Sequence, residues 1–155
     1  MSDAPFDLEQ FLPYRLNRAT EYVSLQFAAH YRAAYDLTRP EWRTLAALGS
    51  RGRMTATQIG AHSAMHKTKV SRAVFSLEQR RWLKRQTDIE DRRVEHLELT
   101  PLGNRYYLEL TGTARRYEQE LLALLGKDTL EALSRGLASL EQAMKNRPPV
   151  LLPER

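Results

Sequence analysis

The most restrictive feature of this chain is a change of hydrophobic period near residue 82. Up to Arg80, apolar side chains recur at three- and four-residue steps, the spacing of helices with one buried face. Then the period becomes two. Segments 82–87 and 94–99 read as short strands around the polar run Asp88-Ile89-Glu90-Asp91-Arg92-Arg93, a hairpin loop. Helical spacing returns after Thr100-Pro101, which supplies an N-cap and a proline at the first helical position. Several helices, one small hairpin and more helices exclude sandwiches, barrels and parallel α/β folds.

Local signals divide the helical stretches. A first helix is expected from about Leu12 to Tyr35, with Leu12, Leu16, Ala19, Val23, Phe27, His30 and Ala34 on one stripe and Pro13 near its start. Thr38-Arg39-Pro40-Glu41 has the form of a capping box, opening a second helix through Trp42, Leu45, Ala46 and Leu48 that ends at Gly49-Ser50-Arg51-Gly52. Thr55-Ala56-Thr57-Gln58 repeats the box and starts a short helix through Ile59 and Ala61. A tight turn is expected at His62-Ser63-Ala64-Met65. The next helix, from about Lys67 to Arg80, turns Val70, Val74 and Leu77 inward. Two helices joined by about four residues and followed at once by a hairpin make a winged helix-turn-helix.

Past Thr100 a long helix carries Tyr106, Leu110, Ala114, Tyr117, Leu121 and Leu124, and Gly126-Lys127 breaks it. Asp128-Thr129-Leu130-Glu131 is expected to cap a last helix, whose Leu130, Leu133, Leu137, Leu140 and Met144 keep a 3-4-3-4 rhythm, an a/d seam. The expected fold is mainly α with a small β wing. Its parts are an N-terminal dimerisation helix at 1–36, a winged helix-turn-helix at 37–100, C-terminal dimerisation helices at 101–146 and a flexible tail at 147–155. The terminal helices are assigned to dimerisation because their apolar stripes would lack partners in a monomer, and pairing across a two-fold axis buries them.

Charge separates these parts further. Between Arg51 and Arg85 nine basic residues stand against one acid, Glu78, a local +8 inside a chain of net +5, so the remainder is slightly acidic. A basic island of this kind implies a localised polyanion-binding face. The chain has no cysteine, which excludes disulfides, thiolate catalysis and sulfur-ligated zinc. No stretch has the length of a membrane span, and Met1-Ser2-Asp3-Ala4-Pro5 lacks a secretory signal's features, so a cytoplasmic location is expected. Neither a G-x-S-x-G motif nor a phosphate-cradling glycine loop is present, so no enzyme, catalytic residue, cofactor or metal is expected.

Asp88-Ile89-Glu90-Asp91-Arg92-Arg93 followed by Leu97-Glu98-Leu99-Thr100-Pro101-Leu102-Gly103 resembles the D-x-x-D-x-R wing and L-T-x-x-G exit of the multiple antibiotic resistance regulator (MarR) family of bacterial winged-helix transcription factors. Val70-Ser71-Arg72, Leu77-Glu78 and Leu83-Lys84-Arg85 resemble the family's recognition helix and following strand. The resemblance spans about Leu12 to Met144. It implies a ligand-responsive dimeric repressor that binds double-stranded DNA at a pseudo-palindromic operator. Helix 66–80 would lie in the major groove, where Lys67, Thr68, Lys69, Ser71 and Arg72 meet bases and phosphates. On the 88–93 wing the resemblance puts Arg93 in the minor groove, oriented by Asp91, with Arg92 on a phosphate. Arg81 stands where the family usually has a helix-ending glycine, so either the helix ends differently or Arg81 adopts a left-handed conformation.

The resemblance also implies a small aromatic anionic effector, for which Arg15, Arg18, Tyr22, Trp42 and Arg43 supply guanidinium forks and aromatic walls. Other readings are a solvated helix face, a merely soluble hairpin tip, or a winged helix for protein or RNA contact without specific duplex recognition. His30, His62, His66 and His96 leave a metal-sensing regulator as a further alternative.

Overall fold

The computed structural model describes residues 5–145 and 147. After a 3-10 turn at Leu8–Gln10 come α1 (Leu12–Tyr35), α2 (Arg39–Arg51), α3 (Ala56–Ser63) and α4 (Lys67–Gln79). Strands β1 (Leu83–Thr87) and β2 (Glu95–Leu99) follow, then α5 (Pro101–Leu125) and α6 (Lys127–Lys145). The mainly helical class with one small antiparallel sheet is the one the change of period predicts. Two compact units result, the first ending at Ala114 and the second starting at Arg115.

Both capping boxes form. Glu41 Oε2 accepts from the Thr38 amide at 2.6 Å while Thr38 Oγ1 accepts from the Glu41 amide at 3.4 Å. At α3, Gln58 Oε1 accepts from the Thr55 amide at 2.8 Å and Thr55 Oγ1 accepts from Gln58 at 3.2 Å. Such caps satisfy amides that the first turn leaves without carbonyl partners. Burial opposes ionisation of Glu41, yet bonds from Ser76 and Thr38 hold its carboxyl below the usual range. The turn before α4 starts later than the sequence suggests. His62 and Ser63 remain helical and Ala64 alone reverses the chain, at φ 48°.

The core of the first unit gathers Tyr31, Leu37, Leu45, Leu48, Ile59, Val70, Val74, Leu77, Leu83, Leu97 and Leu110, all fully or almost fully buried. Each such side chain contributes about 1.5–3 kcal/mol through removal from water. Helix α1 reaches this core with Ala28 and Tyr31, flanked by Phe27 and Tyr35. Of the stripe expected from the sequence, Phe27 packs against this core, whereas Leu12 is 55% and Val23 45% exposed. Aromatic packing around Trp42, whose ring lies 5.3 Å from Phe27 and 6.0 Å from Tyr31, selects the buried face and confines it to the C-terminal part of α1.

In the sheet Leu83 pairs with Leu99, Arg85 with Leu97 and Thr87 with Glu95, and Met54 bridges to Leu97 from the segment before α3. Trp82 and Val94 fall just outside the strands. In the second unit the end of α5 and α6 line a recess of about 460 Å³ with Leu121, Leu122, Leu130, Leu133 and Leu137. No residue of α6 is buried; Leu133 is 49% and Met144 54% exposed. Gly126, at φ 80°, separates the helices, and α6 begins at Lys127, which places Asp128 inside the first turn. Of the expected flexible tail only Arg147 is among the described residues. None of the described helices is long and apolar enough to cross a membrane.

Candidate nucleic-acid interface

Helix α4 has two unlike faces. Val70, Ala73, Val74 and Leu77 are buried, whereas Lys67, Thr68, Lys69, Ser71 and Arg72 are all exposed. Among the described residues none of those five side chains has an intramolecular hydrogen bond or ion pair. The helix starts at His66, whose Nδ1 accepts from the Thr68 amide at 3.4 Å, and its first turn contains no acid. Its partial positive end is therefore uncompensated. One residue was missed in the sequence: Phe75, 60% exposed, continues the outward line of Thr68 and Arg72. Its i+7 spacing from Thr68 was the available signal.

Not all of the basic island faces outward. Arg80 donates to the carbonyls of Tyr35 and Asp36 at 2.8 and 2.9 Å, bracing the end of α4 against the α1–α2 turn. Lys84 pairs with Glu98 at 2.9 Å, and Arg85 with Glu78 and Glu95 at 2.9 Å each. These acids lie beside the basic residues in space, although only Glu78 is inside the sequence window.

The end of α4 is built from the exit motif. Arg81 takes the left-handed conformation at φ 60°, which settles the alternative left open by the sequence. The Arg81 amide donates to the Glu78 carbonyl and the Trp82 amide to that of Leu77, both at 2.9 Å, a Schellman termination with a non-glycine residue at its left-handed position. Thr100 Oγ1 donates to the Arg81 carbonyl at 2.7 Å and accepts from the Gly103 amide at 3.1 Å. A Cβ on Gly103 would lie 1.8 Å from the Trp82 carbonyl oxygen, so no side chain fits there. Trp82 then stacks on Tyr106, with centroids 4.3 Å apart.

The wing is held by polar groups. Asp88 Oδ1 accepts from the amides of Glu90 and Asp91 at 2.8 and 3.1 Å, while Oδ2 meets His96 Nε2 at 2.8 Å. These bonds, the Asp91 amide's foremost, lower the Asp88 carboxyl to about 2. Asp91 grips Arg93 through Oδ1 to Nε at 3.0 Å and Oδ2 to a terminal nitrogen at 3.1 Å, and its carboxyl is lowered chiefly by that pairing. The Arg93 side chain is nevertheless 90% exposed. Arg92 and Arg93 line a recess of about 500 Å³ with Thr55, Ala56 and Thr57 at the start of α3.

Within the single chain the five effector candidates do not line one cavity. Trp42 and Arg43 line a cavity of about 390 Å³ with Ala46, His62, Tyr107 and Thr111. Arg43 donates to the Ser63 carbonyl at the α3–α4 turn. Arg18 instead pairs with Glu9 and lies over the Tyr14 ring, while Arg15 and Tyr22 are exposed. Neither Arg15, Arg18 nor Tyr22 lines the Trp42 cavity. Among the described residues no three His, Asp or Glu side chains converge as a metal site requires.

Helices α2 to α4 with the β1–β2 hairpin constitute a winged helix-turn-helix, the fold of a class of transcriptional regulators. The MarR family model matches residues 35–94. The MarR family transcriptional regulator SPO1453 of Silicibacter pomeroyi DSS-3 is 31% identical, with a TM-score of 0.74 over 87% of this chain and 98% of that one. The HTH-type transcriptional regulator YwoH of Bacillus subtilis strain 168 is 25% identical over 82% of this chain and 91% of its own length. BpsR of Bordetella bronchiseptica, whose DNA binding is regulated by 6-hydroxynicotinic acid, shares the fold at a TM-score of 0.77 and 21% identity, over 94% of this chain and 100% of that one. This chain belongs to the MarR family, whose fold is that of transcriptional regulators.

Proposed function

We propose that the chain is a ligand-responsive dimeric repressor, acting in the cytoplasm, that reads a pseudo-palindromic operator in double-stranded DNA. The observation that carries this reading is the outer face of α4, where Lys67, Thr68, Lys69, Ser71 and Arg72 are exposed without internal partners among the described residues. Exposed donors on a helix with an acid-free first turn suit base edges and phosphates of the major groove. Phe75, on the same line, suits contact with a thymine methyl. Arg93, already oriented by Asp91, enters the minor groove with little further ordering, and Arg92 meets a phosphate.

Dimerisation is supported by the α6 seam, in which no residue is buried, and by the exposed Leu12 and Val23 of α1. In this reading 1–36 and 101–146 dimerise while 37–100 binds DNA. A two-fold dimer would set its recognition helices roughly 34–36 Å apart, one turn of DNA. The Trp42 and Arg43 cavity suits an aromatic anion, the chemistry that 6-hydroxynicotinic acid represents for BpsR. Its coupling to DNA would run through Arg43 and the Ser63 carbonyl to the turn before α4.

Genomic fragments recovered on the purified protein supply the operator, and titration of that duplex at physiological salt tests the reading. Arg93→Ala is expected to weaken binding while Arg18→Ala leaves ligand-free binding intact. Equal affinity of wild type and Arg93→Ala would remove the wing assignment, and a monomer at micromolar concentration by light scattering would remove the dimer.

A further inference from the structure

A further cavity, of about 340 Å³, lies at the base of the recognition helix. Arg32 of α1, Arg39 and Arg43 of α2, and His66 and Lys69 at the start of α4 line it, with Glu21 as the only acid among the described lining residues. That acid is already committed, since Glu21 accepts two bonds from Arg39 at 2.8 and 3.3 Å. Arg32 and Lys69 have no ion pair or side-chain hydrogen bond among the described residues. Arg43 uses part of its five-donor fork on the Ser63 carbonyl.

Four full positive charges against one carboxylate repel one another, and an anion between them relieves that cost. Three of the four also act on a common point. Burial pushes the Tyr31 hydroxyl up, and Arg39, Arg32 and Arg43 each pull it back. The ligand chemistry follows from the walls. Beyond the charged groups and the His66 imidazole, the lining is Leu25, Pro40, Ala64 and Met65, without the indole and phenol that face the Trp42 cavity. Aromatic acids therefore suit the neighbouring cavity. A compact oxyanion suits this one, because guanidinium forks match phosphate oxygens two at a time.

We propose that the cavity bounded by Arg32, Arg39, Arg43 and Lys69 is a phosphate-binding site beside the aromatic cavity, with which it shares Arg43. The phosphate comes either from a free phosphorylated compound or from the backbone of bound DNA, and only the second source rests on the duplex-binding reading. A free phosphate compound here neutralises Lys69 and so opposes DNA binding. A backbone phosphate seated here adds one contact to the footprint and fixes the register of α4.

The test uses the 155-residue chain as purified, with inorganic pyrophosphate as probe and Arg32→Gln as variant. Arg32 is exposed, and unchanged melting temperature and circular dichroism confirm that the variant is folded. For a free ligand, calorimetry gives saturable binding at one site per chain, weakened about tenfold or more by Arg32→Gln and unaffected by Arg18→Gln, as loss of a charge-assisted fork requires. For the backbone source, Arg32→Gln lowers the slope of log affinity against log salt by about 0.9, the share of one phosphate, while Arg18→Gln does not. Absence of saturable, Arg32-dependent pyrophosphate binding together with an unchanged salt slope overturns the proposal. A protein that binds pyrophosphate in this way but no duplex retains the site and loses the DNA reading.

Discussion

The recognition helix and the wing are assigned to the same duplex, yet they are held in opposite ways. Helix α4 is fixed by its buried face of Val70, Ala73, Val74 and Leu77 and by the hydrogen bonds that end it at Arg81 and Trp82. Its outer side chains are consequently free of structural duties. The wing loop rests on no comparable apolar face, and carboxylates do the holding: Asp88 organises its turn and Asp91 holds Arg93. A contact surface kept in place by volume thus stands beside one kept in place by charge, and different perturbations should disable each.

The largest expected effect breaks the volume-held side. Gly103→Ala drives a methyl into the Trp82 carbonyl and forces apart the start of α5 and the end of α4, at a cost of about 3 kcal/mol. Denaturant unfolding should show the loss as a lower midpoint. A midpoint within error of wild type would mean that the Trp82 to Gly103 contact relaxes freely. Arg81→Gly acts on the same helix end in the opposite direction. Relief of the left-handed conformation should raise stability by about 1 kcal/mol, while the outer face of α4 is unaltered. No gain in the unfolding midpoint would assign a compensating contact to the Arg81 side chain.

The smallest effect belongs to the wing. Asp88 titrates at about 2 in the folded chain against an ordinary 3.8. Because the folded value is the lower one, its contribution is complete above about pH 4 and disappears as pH falls toward 2. Hydrogen exchange should therefore show the Glu90 and Asp91 amides losing protection in that window before those of Val74 and Leu77. Simultaneous loss at both places would show that the wing and helix do not differ in what holds them.

Much of this was legible in the chain. The two capping boxes, the Gly126 break and the inward line of Val70, Val74 and Leu77 depend on neighbours within four or seven residues, so spacing alone reveals them. Which side of α1 enters the core of the first unit was not legible. The seven positions of the expected stripe obey helical spacing, but burial falls on Ala28 and Tyr31 because Trp42 and the other rings lie against that side. Nor did the basic island disclose which charges are free. Arg80 braces two carbonyls and Lys84 and Arg85 meet acids brought by β2, partners distant in sequence or outside the window.

The candidate sites divide along the same line. Lys67, Thr68, Lys69, Ser71 and Arg72 share an exposed face because helical geometry fixes it, and Asp91 meets Arg93 because a two-residue turn does. Arg15, Arg18 and Tyr22 shared a chemistry with Trp42 and Arg43 but not a cavity, since nothing in residue type states where α1 meets α2. By itself, then, the sequence determined the order of elements, their caps and which side of each reading element is polar, all consequences of short-range periodicity and hydrogen bonding. Tertiary structure decided which cations remain unpaired, that Arg81 accepts a left-handed backbone, and that Arg32, Arg39, Arg43 and Lys69 surround one cavity. Those outcomes depend on through-space packing and Coulomb interactions between groups far apart in the chain, which no local pattern encodes.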